Sequence, residues 1–211
     1  MEDKNLTTEQ SLALIARMIG DTRARLERNS GRPFLVWGYT VVAIALLNFW
    51  LRISQADPWW NMTWFLIPVV GWGLMRVFPP RKSAEPRTEI DRIIGRIWIV
   101  LSLAIAPAMV IGIFAHFDVF GIIALLMASG VAVTGAIVRS RIYTVAGFAG
   151  VALSPMFAVY DHVVGKYMDF SADNAWALFV PMLLYALFFL LVMVIPGHVI
   201  DRQNRRRCSG N

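Results

Sequence analysis

Long uncharged apolar runs alternate with short polar stretches along this chain. Each run approaches the roughly 20 residues that a helix needs to cross the hydrocarbon layer of a bilayer. The pattern predicts spans at 34–51, 59–78, 93–115, 117–138, 142–160 and 175–200. Backbone polar groups inside hydrocarbon must pair within the chain, so these runs are expected to be helices. The fifth is the weakest, because Gly147, Gly150, Ser154 and Pro155 dilute its apolar character.

Residues 7–30 carry a different periodicity. Thr7 and Gln10 have the spacing of a capping box, and Leu12, Ile15, Ile19 and Leu26 then recur at helical spacing, joined by Leu14 and Met18. The second half adds Arg23, Arg25 and Arg28, and Gly31 with Pro33 is expected to stop the helix. Such an amphipathic, basic helix fits a membrane surface, a protein partner or the chain's own bundle. The expected organisation is an amphipathic cytoplasmic helix and linker over 1–33, a six-span bundle over 34–200, and a basic cytoplasmic tail over 201–211. The fold class is all-α, a polytopic membrane protein.

Composition supports this reading. The chain has 211 residues, 57% of them hydrophobic and 16% charged, against about 45–50% and about 25% in soluble domains. The net charge of +6 sits beside apolar runs, which points to anionic headgroups and topology, with no nucleic acid as a partner. Of the 20 Lys and Arg, all but Arg52 and Lys166 fall on one side of the six-span arrangement, which orients both ends to the cytoplasm. Trp50, Trp59, Trp60, Trp64 and Trp176 gather at the opposite interface. The polar first 33 residues do not read as a cleaved signal peptide. Cys208, the single cysteine, follows three arginines and reads as a free tail thiol.

Candidate chemistry is sparse. No Asp or Glu lies mid-span, and the deepest polar residues are Asn48, Ser102, Ser129, Thr134 and Ser154. Such groups satisfy backbone or neighbouring helices, and the lack of buried charge argues against a proton-driven pump. Pro68, Pro107, Pro155, Pro181 and Pro196 lie within the runs, and kinked helices of this kind are the support for a transporter or channel. Ala128, Ala132, Ala136, Ala146, Gly150 and Ser154 place small residues at close spacing in spans four and five, which predicts an intimate antiparallel hairpin. His116, Asp118, Asp161, His162, Asp169 and Asp173 collect at the outer loops without fixed ligand spacing, so no metal or other cofactor is expected. No phosphate loop, nucleophile elbow or zinc-protease motif occurs, and no enzyme is expected.

Three stretches carry a resemblance. They are Met18–Arg23 leading into Phe34–Tyr39, the run Leu126–Gly135, and Ile195–His198. Together they resemble a family of bacterial integral membrane proteins with about six transmembrane helices and no established function. The resemblance implies a bacterial cytoplasmic (inner) membrane location and no catalytic residues. The function expected is regulatory, sensing or scaffolding, with the bilayer and either a protein partner or a second copy engaged through the N-terminal helix. The alternative is a small-solute transporter or channel built from proline-kinked helices.

Overall fold

A computed structural model describes residues 8–54, 58–78, 89–115, 119–167 and 179–209, with the backbone alone at 19, 21–30 and some helix ends. The regular structure among them is entirely helical. The elements are α1 (Thr8–Ile53), a 3-10 helix (Pro58–Phe65), α2 (Leu66–Val77), α3 (Glu89–Ala115), α4 (Val119–Val138), α5 (Arg141–Leu153), α6 (Pro155–Tyr167), α7 (Val180–Phe189), a π-turn (Leu190–Val194) and α8 (Ile195–Ser209). Five stretches are long and apolar enough to cross a membrane: Gly31–Ile53, Glu89–Ile111, Val119–Val138, Arg141–Val164 and Val180–Gln203. The fold is an all-α bundle of membrane-protein character.

The structure changes the expected elements in several places. The second run is a shorter apolar helix, Met62–Val77. Its cause is Pro68, whose ring would meet the Trp64 carbonyl in a continuous α-helix. The chain therefore takes the tighter 3-10 winding up to Phe65 and turns α-helical at Leu66. At about 2.0 Å per residue for the 3-10 part and about 1.5 Å for the α part, the two still rise about 34 Å together. Pro181 lies in the first turn of α7, where a missing N–H costs little, and does not kink a span.

The helix stop expected at Gly31 and Pro33 does not occur. α1 runs unbroken from Thr8 to Ile53 with Pro33 inside it. Tertiary contacts outweigh the local signal. Gly31 lies against α8, where a Cβ would stand 3.4 Å from the Gly197 carbonyl oxygen. Phe34 is buried against Trp98 and Tyr143, with ring centroids 5.6 and 4.6 Å away. The basic tail is likewise helical to Ser209, in line with the last span.

Packing divides the helices into a core and a flank. α1, α4, α5 and the α7–α8 segment supply most of the buried residues. α2 packs on α1 through Gly71, which lies against the Trp37 ring. α3 rests on α4 through Trp98 and Leu101 beside Gly130, and its membrane-length stretch holds no buried residue. Phe34, Trp98, Tyr143 and Gly197 gather toward the end of the bundle where α4 turns into α5. The other end is marked by an aromatic cluster around Tyr185, which meets Trp64, Phe120, Phe157 and Phe189 at 4.9–5.7 Å between centroids.

Candidate interaction surface

The N-terminal part of α1 shows the most exposed apolar residues on a polar stretch. Leu12 is 63% exposed, Ile15 53% and Met18 61%, and Leu14 is exposed as well. The backbone at Ile19, Arg23, Arg25, Leu26 and Arg28 is helical, and their side chains lie outside the described residues. Thr7 lies outside them too, so the capping box is not on view.

The phase of α1 fixes where this stripe points. Gly31 and Gly38, seven residues apart, face the last helix, where a Cβ at Gly38 would meet Val194 at 2.8 Å. At about 100° per residue, the Leu12, Ile15, Ile19 and Leu26 positions centre about 130° round the helix from Gly31. Leu12 and Ile15, the described members of the stripe, thus turn away from the face that Gly31 presents to α8.

The described arginines gather at the Gly31 end of the bundle. Arg32 stands at the start of the first membrane-length stretch, Arg76 in the last turn of α2, and Arg92 and Arg96 near the start of α3. Arg139 and Arg141 form the α4–α5 turn, and Arg202 follows the last span. Arg76 lies over the Trp72 ring, 4.0 Å from its centroid, and Arg92 pairs with Glu89. Arg52 marks the other end. The α4–α5 turn closes as a Schellman motif. Arg139 takes the left-handed conformation at φ 57°, its N–H bonds the Ala136 carbonyl, and the Ser140 N–H reaches the Gly135 carbonyl at 2.9 Å.

The small residues expected to pack do so in part. Ala128, Ala132, Gly150 and Ser154 are buried, Ala146 is half-buried and Ala136 is exposed. The closest approaches lie at two glycines that the small-residue spacing passed over. A Cβ at Gly135 would overlap the Thr144 amide, and one at Gly147 would overlap the Ala132 amide. Both glycines were visible in the sequence, but only the helix pairing shows which face they occupy.

The mid-span polar groups serve the backbone. Ser102, Ser129 and Thr134 donate to the carbonyls of Trp98, Leu125 and Gly130, each at 2.7 Å. The Ser154 hydroxyl bonds the Val151 carbonyl at 2.9 Å. That carbonyl is the one Pro155 cannot serve, so the side chain compensates the break between α5 and α6. Asn48, 2% exposed, donates to Ile44 and accepts from the Thr63 hydroxyl at 3.0 Å. Trp98 donates its indole N–H to Thr134 at 3.2 Å, which joins α3 to α4.

Two further features carry no signal in the sequence. Tyr39 and His198 meet at 2.6 Å between Oη and Nε2, joining α1 to α8 beside Gly197. The last span also contains the π-turn, in which the Ile195 N–H bonds the Leu190 carbonyl, five residues back. Pro196 follows directly, and the wider turn relieves its ring of the Val192 carbonyl.

Of the outer His and Asp residues, Asp161 and His162 are exposed on α6, and His116, Asp118, Asp169 and Asp173 lie outside the described residues. Among the described residues no three His, Cys, Asp or Glu side chains come together. Compared with family models, curated proteins and solved structures, the chain matches none.

Proposed function

We propose that this chain is a non-enzymatic, multi-pass protein of the bacterial cytoplasmic membrane, related to the family it resembles, that works as a regulator, sensor or scaffold. Its N-terminal helix and arginine-rich end face the cytoplasm, and the helix engages a protein partner. The observation that carries this reading is the exposure of Leu12, Leu14, Ile15 and Met18 on a helix that continues the first span. Apolar surface left in water costs about 25 cal/mol per Å², and contiguous patches of it mark interaction sites. A photocrosslinking residue at Leu12 or Ile15 of the full-length chain, activated in cells, tests it. The expected product is a protein adduct. Adducts with lipid alone would place the stripe on the membrane surface and overturn the reading.

A second reading, a small-solute transporter or channel, draws on two irregular backbone points that share one region of the core. The α5–α6 break and the π-turn meet where a Cβ at Gly150 would stand 2.8 Å from Val192. Discontinuous helices line the substrate sites of many transporters. Against it, Phe157, Phe188 and Phe189 fill that region, and the mid-span polar groups bond their own helices. Flux of a small polar solute into proteoliposomes, absent from protein-free vesicles, would favour this second reading.

A further inference from the structure

We infer that the partner of the N-terminal helix is a second copy of this chain, paired in parallel along the Leu12, Ile15, Ile19 and Leu26 seam. This rests on the reading of that helix as an interaction element and names its occupant. Two observations converge on it.

The first is spacing. Leu12, Ile15, Ile19, Thr22 and Leu26 alternate steps of three and four residues, the repeat that two supercoiled helices share. The second is register. α1 is one helix from Thr8 to Ile53, so two copies inserted the same way carry their N-terminal helices parallel and at equal height. Each seam residue then meets its own counterpart, as a parallel pair requires. The pairing is confined to the N-terminal extension, because Thr40 on the same repeat is buried and Val36 half-buried in the chain's own bundle.

Charge is compatible with the pairing. In a parallel pair Met18 stands opposite Arg23 of the other copy, and Arg25 opposite Ser30, so no like charges face each other across the seam. Thr22, a polar residue within the seam, weakens the contact and helps to fix its register.

Cysteine crosslinking of the full-length chain in native membranes tests the inference. With Cys208→Ser as background, single cysteines are placed at Leu12, Ile15, Ile19 and Leu26, and at Ala13 and Ala24, which helical spacing sets off the seam. Membrane levels of each variant are checked by immunoblot before oxidation. The expected result is a disulfide-linked dimer at the seam positions, in several-fold higher yield than at Ala13→Cys or Ala24→Cys. Adding Ile15→Asp is expected to lower the Leu12→Cys dimer several-fold while leaving the membrane level unchanged. Equal yields at all positions, or none, would overturn the pairing. If a photocrosslinker at Leu12 then captures a different protein, the interaction role stands and only the identity of the partner fails. If it captures lipid alone, both fail.

Discussion

At Gly135 and Gly147 the backbones of α4 and α5 approach so closely that a methyl group has no space, because what it would strike is backbone rather than a movable side chain. Gly73 and Gly95 stand in open surroundings on the flanking helices, with nothing within 4 Å of an added Cβ. Gly135→Ala and Gly147→Ala are therefore expected to lower stability by about 1–3 kcal/mol each, the usual cost of overpacking. Gly73→Ala and Gly95→Ala should stay within about 1 kcal/mol of the parent. Thermal unfolding in detergent micelles compares the four, and equal effects in both pairs would contradict the packing described. Sequence spacing singled out the right hairpin through Ala128, Ala132 and Gly150. It also marked Ala136, which is exposed, because a run of small residues does not show which of its faces meets the neighbour.

Among the elements, the last span carries the sharpest test. Its π-turn holds one residue more than an α-turn, and Pro196 sits just beyond it. Deleting Leu191, an exposed residue inside the turn, in a Pro196→Ala background converts the wide winding to a regular one without setting a proline ring against the carbonyl four residues back, and keeps Gly197 against Gly31. Deleting Leu187, an exposed residue of regular α7, rotates everything before it by about 100° relative to α8 and displaces Tyr185 from its aromatic neighbours. The Leu191 deletion is expected to retain folded protein in membranes and the Leu187 deletion to lose most of it, measured as the monodisperse fraction after extraction. Similar losses for both would show that the π-turn absorbs nothing. No sequence signal announced this turn, since an apolar π-turn and an apolar α-turn have the same composition. The opposite failure occurred at Gly31 and Pro33, which read as a helix end. Contacts with Gly197, Trp98 and Tyr143, distant in sequence, carry the helix through them.

For the whole molecule, the distribution of charge and apolar length was legible from residues alone, because a bilayer imposes both. Five of the expected spans stand as helices of membrane length, and the sixth is the shorter Met62–Val77 stretch, which changes from 3-10 to α winding at Leu66. The arginines meet at one end because the helices alternate in direction. The exposed stripe at Leu12 and Ile15 was legible as periodicity. Its direction away from α8 was not, since that depends on Gly31 and Gly38 facing the last helix. The N-terminal helix continues the first span without a break, with Leu12 and Ile15 exposed. Spin labels at Leu14→Cys and Leu46→Cys, both exposed and off the seam, test that continuity in a Cys208→Ser chain diluted with unlabelled protein in lipid nanodiscs. A continuous helix predicts a single narrow distance near 48 Å, from 1.5 Å per residue. A short, broad distribution, with the label at position 14 immersed in the bilayer, would show a hinge at Pro33 and a surface-bound helix, and would rule out the rigid extension.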